Sequence, residues 1–381
     1  MKKNIAIIIT KLELGGAQKV VLELVAGLDK KKFNVHLLCG PEGRLDIEAN
    51  KIKDIELVYI EELCTSIKLV SDLVAYLKII SYLEKNKIDI VHTHSSKAGF
   101  LGRLAAIAAK NKPVIVHTVH GFPFHEYQNP IVHLFYVLLE KFVGTFTKKL
   151  IAVGSDIVEY GIKNGVGNIE KYEVIRAAID VASFKNAKVD KKKYIEKFGL
   201  KVGVFTVGMI GNMKKQKNPF GFIEIARLAL EKNRKLQFLF AGDGPLMGKM
   251  QKRVIKYNLE NKIKLVGWIN EPELFLKSID VFLLTSLWEG LPCTLVQAAA
   301  TGVPSIASGI GGNREFIKLA SSGTLYSPFD YSSAADTVIK VAEKKAKTNI
   351  EVSVLKDFDI KYMVKQHENL YLTNTNMKKK H

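Results

Sequence analysis

The sequence has few cysteines and no long apolar run. Its three cysteines lie far apart among 381 residues and form no C-x-x-C pair, so we expect neither a disulfide framework nor a zinc knuckle. This cysteine usage is typical of a protein in a reducing cytoplasm. No stretch approaches the roughly 20 apolar residues that a membrane span requires. The apolar run at 5–9 is shorter than the core of a signal peptide, and we therefore interpret it as a buried strand.

Acidic residues are also scarce relative to basic ones. The chain has 57 lysines and arginines against 38 aspartates and glutamates, a net charge of +19, and lysine runs at 191–193 and 378–380 contribute to it. A solvated basic surface explains this excess, and an anionic membrane surface is the functional alternative that we favour. We expect no nucleic acid partner, because no binding motif is present and the lysines are not interleaved with aromatic residues.

Short β-branched runs alternate with helical stretches along a chain that is too long for one ordinary core. This pattern predicts an α/β fold of two doubly wound, Rossmann-like domains that face each other across a cleft. We place the first domain at 1–180, with a helix near 361–376 packing back on it, and the second at 181–360. A polar, lysine-rich segment at 179–201 is expected to join them.

The predicted strands are 4–9, 34–38, 88–92, 114–119, 150–153, 203–210, 237–241, 263–266, 281–285 and 304–307. The predicted helices are 18–28, 67–86, 98–111, 130–147, 156–164, 219–231, 245–257, 273–277 and 292–301. The helix at 130–147 is very apolar; we expect it to be buried, and a helix lying in a membrane interface is the alternative. In sheets of this kind ligands bind beyond the carboxyl ends of the strands.

No G-x-G-x-x-G fingerprint follows the first strand, which disfavours a NAD-dependent dehydrogenase. Gly15 and Gly16 stand there instead, ahead of an amphipathic helix. A glycine pair lets backbone N–H groups approach a phosphate closely, and a plain tight turn is the alternative.

Five of the nine histidines lie between residues 92 and 125. A metal site is one interpretation, but the spacing is irregular and neither an H-E-x-x-H motif nor a cysteine partner is present, so we expect no metal. His120 comes directly after a predicted strand, where ligands gather. It is the best polar candidate for the cleft, and a structural, hydrogen-bonded histidine is the alternative.

In the second half of the chain, glycine-rich loops follow three successive predicted strands. Lys217 lies in the first loop, just before a helix with Pro219 in its first turn, and a lysine together with N–H groups can hold a diphosphate. An exposed basic loop is the alternative. Gly244 and Trp268 follow the next two strands, and we expect the three loops to converge on one cleft.

A fourth strand end carries Glu289, Gly290 and Leu291, followed by a helix that starts near Pro292 and stops at Gly302. The N–H groups and the positive dipole end of a helix start receive anions. A carboxylate would repel a phosphate, so a carboxylate beside a phosphate site is expected to bind a neutral group, such as the hydroxyls of a sugar. The combination predicts a nucleotide-sugar site.

The ordered set of these motifs resembles the retaining GT-B glycosyltransferases of family GT4 over nearly the whole chain. The set comprises Gly15-Gly16, His120-Gly121, Lys217, Gly242-Asp243-Gly244-Pro245, Gly267-Trp268 and Glu289-Gly290-Leu291-Pro292. Segments 92–99 and 117–126 are similar to the branch that makes capsular polysaccharide and the O-antigen of lipopolysaccharide.

The resemblance implies a role for each site residue. Lys217 would neutralise the diphosphate leaving group, Glu289 would hold hydroxyls of the donor sugar, and His120 would meet the transferred sugar. The other residues implied in donor binding are Gly15, Gly16, Asn212, Gly244, Trp268, Gly290, Leu291 and Gln297. Such enzymes are usually metal-independent, and the missing D-x-D motif agrees. No cofactor is expected; the donor substrate would be a UDP-sugar, with a GDP-sugar as the alternative.

Two positions depart from the family pattern. Asn212 stands where the family commonly has an arginine, so a second cationic contact with the diphosphate is missing unless Lys214 or Lys215 supplies it. Gln297 stands eight residues after Glu289, where the family has a glutamate that accepts hydrogen bonds from both ribose hydroxyls. An amide binds these hydroxyls more weakly than a carboxylate, which implies weaker nucleotide binding.

The predicted function is transfer of a sugar, with retention at the anomeric carbon, from a nucleoside-diphosphate donor to a polyprenyl-linked glycan in surface polysaccharide synthesis. The resemblance implies a cytoplasmic enzyme with peripheral contact at the inner membrane surface. A nucleotide-sugar hydrolase or epimerase on the same scaffold is one alternative. A catalytically weakened sugar-nucleotide-binding protein is another.

Overall fold

The computed structural model describes residues 2–344 and 350–376, so the lysine run at 378–380 lies outside the described residues. The chain divides into two compact units. Unit 1 contains the described residues up to Ala178 together with those from Ile360 onward, and unit 2 extends from Ile179 to Asp359.

Unit 1 is built on a parallel sheet of seven strands in the order β3-β2-β1-β4-β5-β6-β7. The strands are β1 (Lys3–Lys11), β2 (Phe33–Gly40), β3 (Ile55–Tyr59), β4 (Ile90–His94), β5 (Val114–Val119), β6 (Lys149–Ala152) and β7 (Tyr172–Val174). Residues 5–9 are fully buried, as expected of a parallel strand covered on both faces. The sequence pattern does not predict β3 and β7, which are short edge strands containing Glu56 and Glu173.

Six helices connect these strands within unit 1. They are α1 (Gly16–Gly27), α2 (Asp46–Ala49), α3 (Leu69–Lys85), α4 (Ser96–Ala108), α5 (Pro130–Phe146) and α6 (Ser155–Lys163). A buried ion pair joins two of them, because both oxygens of Glu140 in α5 accept hydrogen bonds from Nη2 of Arg103 in α4, at 2.9 and 2.8 Å.

Only one face of α5 is buried, so the expectation of a buried helix at 130–147 is wrong for the opposite face. Val137, Glu140 and Val143 face the interior. The exposed apolar residues of α5 are Ile131, Val132, Leu134, Phe135, Leu138, Phe142 and Phe146. We call this set the outer face of α5. The cause is the composition of the helix, which is apolar nearly all round, whereas α4 and the sheet can cover only one side.

Unit 2 contains a parallel sheet of six strands in the order β10-β9-β8-β11-β12-β13. Its helices in chain order are α7 (Val181–Asn186), α8 (Lys191–Lys197), α9 (Pro219–Lys232), α10 (Met247–Lys256), α11 (Pro272–Ser278), α12 (Cys293–Ala300), α13 (Gly311–Ala320) and α14 (Tyr331–Lys344). Its strands are β8 (Phe205–Ile210), β9 (Leu236–Ala241), β10 (Ile263–Leu265), β11 (Val281–Leu284), β12 (Ser305–Ser308) and β13 (Gly323–Tyr326).

The segment at 179–201, expected as a joining segment, instead forms α7 and α8 inside unit 2. Each helix has an aspartate at its N-cap: Asp180 accepts from the N–H of Ser183 at 3.0 Å, and Asp190 accepts from the N–H of Lys193 at 3.2 Å. The lysines that made the segment look like a linker point to solvent, while one apolar side chain of each helix is buried.

The last described helix, α15 (Ile360–Asn376), lies in unit 1. It packs against the end of α1, where Val364 lies beside Gly27 and the Glu368 carboxylate accepts the N–H of Asp29 at 2.7 Å. Its buried residue Tyr371 reaches the sheet of unit 1.

Two parallel sheets with crossover helices confirm the predicted α/β class. Across residues 2–344 and 350–376, every helix is too short or too polar to cross a bilayer.

Candidate functional site

The loops after successive strands of unit 2 are tied together at the carboxyl edge of its sheet. The N–H of Met213, beyond β8, donates to the carbonyl of Asp243, beyond β9, at 2.9 Å. The N–H of Gly242 in turn donates to the carbonyl of Gly267, beyond β10, at 2.7 Å. The three loops therefore lie side by side at the carboxyl edge of the sheet. Ligands bind at this edge in doubly wound sheets.

Three predicted donor-binding residues lie in these loops. Asn212 and Trp268 are half-buried. Gly244 has a φ of +152°, and a Cβ there would lie 2.9 Å from the carbonyl oxygen of Met213. The position therefore favours glycine, because a side chain would both strain the backbone and collide with the neighbouring loop.

Lys217 and Glu289 meet although they are 72 residues apart. The Lys217 ammonium donates a short hydrogen bond to Oε1 of Glu289, and the Ser286 hydroxyl donates to the same oxygen at 2.6 Å. The Glu289 side chain is 7% exposed and that of Lys217 is 17% exposed. The pair is thus a largely desolvated ion pair, in which charge–charge attraction is stronger than at the surface.

Backbone contacts hold this pair in place. The Thr285 hydroxyl, at the end of β11, bonds the carbonyls of Lys217 and Asn218, both at 2.9 Å. Asn218 has a φ of +47° and caps α9, because its side chain accepts from the N–H of Gly221 at 3.3 Å. The turn that carries Lys217 is therefore pinned both to the end of β11 and to the start of α9.

Glu289 is followed by the start of α12. Pro292 occupies the N-cap position, one residue before the first helical residue and not inside the helix as predicted. Gly290 is closely approached by Gly312 of α13, where a Cβ would lie 1.6 Å from the Gly290 carbonyl oxygen. Leu291 is buried, and Gln297 lies half-buried on α12. No side chain caps α12, so its first N–H groups stay available to an anion.

Cys293 is the residue of α12 nearest to this ion pair in sequence. Burial is the main cause that raises the pKa of its thiol to about 11, with the carboxylate of Glu289 acting in the same direction and Lys217 opposing it. The thiol is protonated at neutral pH and is a poor nucleophile.

Unit 1 contains the glycine pair after β1. Gly15 is the N-cap of α1 and Gly16 is its first residue, and no side chain caps this helix. Gly15 has extended backbone geometry, with φ −173°, so the pair opens a helix and does not form a separate tight turn. Gly16 is exposed at the helix start.

Histidines lie at two neighbouring strand ends of unit 1. His94 is the last residue of β4, and His120 directly follows β5, which pairs with β4 in parallel. Nδ1 of His94 lies 3.0 Å from Nε2 of His120. The adjacent ring of His92 is fixed at both nitrogens, by the hydroxyl of Tyr371 at 2.6 Å and that of Thr118 at 2.7 Å.

Burial keeps these rings neutral. It lowers the pKa of His120 to about 4, with the positive form of His367 acting in the same direction. It also lowers the pKa of His94 well below the usual value, reinforced by His92 and His120. Among the residues that the structure describes, no group of three or more His, Cys, Asp or Glu side chains is arranged to hold a metal ion.

Sequence reasoning did not single out Ser286 or His94 as site residues. Ser286 is fully buried and holds the Glu289 carboxylate. His94 is fully buried and holds the ring of His120. The signal in both cases is a polar residue at a strand end, since His94 ends β4 and Ser286 lies just beyond β11.

Two family models match the chain, one to each half. Residues 14–183 match the model described as Glycosyltransferase Family 4, and residues 190–351 match the model described as Glycosyl transferases group 1. Together these matches include every candidate site residue named above.

Relatives match over most of the chain. It is 34% identical over 368 residues to the UDP-Gal:alpha-D-GlcNAc-diphosphoundecaprenol alpha-1,3-galactosyltransferase of Escherichia coli, covering 94% of each chain. It is 23% identical over 317 residues to the capsular polysaccharide biosynthesis glycosyltransferase CapM of Staphylococcus aureus, covering 82% of each. The fold is similar to that of Anabaena HepE in complex with UDP and glucose, with a TM-score of 0.83, 18% identity, and 97% and 100% of the two chains covered.

The ordered motifs, the two parallel-sheet units and these similarities agree, and the chain belongs to the GT4 family of glycosyltransferases with the GT-B fold.

Proposed function

We propose that this glycosyltransferase moves a sugar from a UDP-sugar to a glycan carried on a lipid diphosphate, in the synthesis of a surface polysaccharide. The observation that supports this most strongly is the contact between Lys217 and Glu289 at the start of α12. A cation, a set of N–H groups and a carboxylate in one place match a diphosphate attached to a sugar.

The donor binds to unit 2 in this proposal. The Lys217 ammonium and the N–H groups of Gly290 and Leu291 receive the diphosphate, while Glu289 accepts hydrogen bonds from sugar hydroxyls. Ser286 keeps the carboxylate oriented. The half-buried ring of Trp268 lies beside the base, and Gln297 bonds the ribose.

In this proposal the family resemblance assigns Gly16 of unit 1 to the diphosphate and His120 to the transferred sugar. Gly16 stands at an uncapped helix start, which suits an anion. A neutral His120 suits a reaction in which the anomeric carbon gains positive charge, because a cationic ring nearby would oppose that charge.

The transfer proceeds with retention and without a metal ion in this proposal. The bond between the anomeric carbon and the diphosphate oxygen breaks, and a bond to the acceptor hydroxyl oxygen forms on the same face. The departing diphosphate takes the proton of that hydroxyl, and Lys217 together with the helix start neutralises the charge that develops on it.

The lipid-linked acceptor is supported by the relative from Escherichia coli, whose name specifies N-acetylglucosamine on diphosphoundecaprenol and UDP-galactose as the donor. We extend that acceptor class to this chain. The outer face of α5 is consistent with peripheral contact at the membrane that holds such a lipid, because it exposes large apolar side chains and is followed by Lys148 and Lys149.

Incubation of the purified protein with UDP-galactose, with and without a synthetic lipid diphosphate carrying N-acetylglucosamine, tests the proposal. We expect UDP and an elongated acceptor, formed only when both substrates are present. Free sugar or an epimerised nucleotide sugar without acceptor would indicate a hydrolase or an epimerase instead.

A thermal-shift comparison of UDP-, GDP- and TDP-sugars identifies the donor base, since a ligand at about 100 times its Kd stabilises the folded state by about 2.7 kcal/mol.

A further inference from the structure

His94 and His120 share a single hydrogen bond that links their protonation. Nδ1 of His94 and Nε2 of His120 are 3.0 Å apart, with ring planes inclined by 33°. A bond between two ring nitrogens holds one proton, so one ring donates and the other accepts. Two arrangements of the neutral rings satisfy this requirement.

In the first arrangement, His94 donates from Nδ1 and its Nε2 is bare. His120 then accepts at Nε2 and carries its own proton on Nδ1. In the second arrangement, His120 donates from Nε2, and His94 must carry its proton on Nε2. The two arrangements therefore differ in whether Nδ1 of His120 is a donor or an acceptor.

The surroundings of Nε2 of His94 distinguish them. This atom is buried and has no hydrogen-bond partner among the described residues. A buried N–H without an acceptor is rarer and less tolerated than a buried acceptor without a donor. The first arrangement leaves only a bare acceptor there, whereas the second leaves an orphaned N–H.

The position of His94 is itself rigid. It is fully buried at the end of β4, and its ring centroid lies 4.1 Å from that of His92, whose two nitrogens are both bonded. Among the described residues Nδ1 of His120 has no hydrogen-bond partner, and His120 is only half-buried. The proton on that atom is therefore free to meet a ligand.

We propose that His94 is a positioning residue that holds His120 as a neutral Nδ1–H donor, available to an oxygen of the sugar substrate. The inference rests on the proposed function for the identity of that ligand, but the assignment of the proton does not. A donor at this point binds a sugar hydroxyl without placing a positive charge beside the reacting carbon.

Nitrogen NMR on protein labelled with ¹⁵N-histidine shows directly which ring nitrogen of a histidine carries the proton. The chain has nine histidines, and the signals of His120 are identified as those that are missing from the spectrum of His120→Gln. We expect the His120 ring at pH 7 to show a protonated Nδ1 and a bare Nε2. In His94→Leu the same ring should show a mixture of both tautomers, because the partner that fixes it is absent. A proton on Nε2 in the wild type, or an unchanged His120 signal in His94→Leu, would overturn the proposal.

Kinetic measurements distinguish a positioning role of His94 from a general defect in folding. His94→Leu should lower kcat/KM for the donor about 10- to 100-fold, the range expected when a group that orients another is removed. His94→Asn, whose amide N–H can replace the Nδ1–H donor, should recover most of the rate. His117→Leu is the matched control, since it removes an equally buried histidine that bonds Thr93 and not His120.

Different results would contradict the role of His94 and the role of His120. If Asn fails to restore the rate, or the control variant loses as much rate as His94→Leu, His94 has no positioning role. If the tautomer is as stated but His120→Ala transfers sugar normally, the role of His120 in the proposed function is wrong.

Discussion

The ammonium of Lys217 and the carboxylate of Glu289 neutralise each other in a largely buried contact, and the Ser286 hydroxyl holds the same carboxylate oxygen. In the proposed complex these two groups face different parts of the donor, the cation facing the diphosphate and the carboxylate facing the sugar. Each charged group thus has a partner before the donor binds, and this contact keeps both side chains oriented in the free protein. On binding, each group exchanges that partner for a part of the donor.

Removing only the carboxylate should have opposite effects on nucleotide binding and on transfer. Glu289→Gln frees the Lys217 ammonium, so we expect UDP to bind at least as tightly as in the wild type, while sugar transfer falls about 100-fold or more. Lys217→Gln should weaken UDP binding about tenfold, because a charge-assisted contact with phosphate is lost. Isothermal titration calorimetry with UDP checks both. Weaker UDP binding in Glu289→Gln than in Lys217→Gln would contradict the assigned roles.

Gln297→Glu should tighten the binding of UDP. Gln297 lies half-buried on α12, and a carboxylate there accepts hydrogen bonds from both ribose hydroxyls more strongly than an amide. We expect the Kd for UDP to fall about five- to tenfold, since charged hydrogen bonds are roughly twice as strong as neutral ones. Gln297→Ala is the control and should weaken binding. Equal Kd values for the three proteins would show that this residue does not contact ribose.

The outer face of α5 should bind anionic vesicles. Leu138 is 55% exposed on this face, and Leu138→Asp should lower vesicle binding about 10- to 100-fold, because a buried leucine contributes about 1.5–3 kcal/mol. Ile255, 57% exposed on α10 of unit 2, offers a matched control, and Ile255→Asp should leave binding unchanged. Cosedimentation with vesicles of phosphatidylglycerol provides the measurement. Equal losses in the two variants, or none in either, would rule out the outer face of α5 as the contact.

Unit 1 should lose stability on mild acidification while unit 2 does not. Burial lowers the pKa of His120 and of His367 to about 4, and it also lowers the pKa of His92, His94 and His117 well below the usual value. Unfolded histidines titrate near pH 6.5, so between pH 6.5 and 4 the unfolded chain binds more protons than the folded one. The free energy of unfolding of unit 1 therefore falls as the pH decreases through this window.

The chain itself provides the control for that prediction. No histidine occurs in 179–359, and both tryptophans, Trp268 and Trp288, lie there. Tryptophan fluorescence during urea unfolding follows unit 2, and hydrogen exchange of peptides from β4 and β5 follows unit 1. Between pH 7 and pH 5 we expect lower protection factors in those peptides, that is, a smaller ratio of intrinsic to observed exchange rate, and a nearly constant fluorescence midpoint. Constant protection factors would mean that the buried histidines bind protons in the folded state.

The elements with the strongest hydrophobic pattern are predictable from the sequence. The strand at 114–119 matches β5 residue for residue, because an apolar run stands between clear turn signals. β3, β7 and β13 are missed, since edge strands are short and only half-buried and carry no such run. The α7–α8 segment is mistaken for a linker because its lysines outweigh its two buried apolar side chains.

The same limit applies to the site. Each strand-end motif can be located in the sequence, because a glycine or polar turn after an apolar run is a local signal. The pairing of Lys217 with Glu289 depends on β8 and β11 being neighbours in the sheet, and that of His94 with His120 depends on β4 lying beside β5. Strand order is set by long-range packing, so local residue patterns do not predict these contacts.

The rate of sugar transfer to the lipid-linked acceptor by Lys217→Ala and Glu289→Ala shows most directly whether these two residues act on the donor. Removing one preorganised charged contact with the transition state typically lowers kcat about 100- to 1,000-fold, and we expect each variant to fall in that range. Lys232→Ala, which breaks an exposed ion pair with Asp336 in unit 2, should transfer at the wild-type rate. Wild-type rates in both Lys217→Ala and Glu289→Ala would contradict the account.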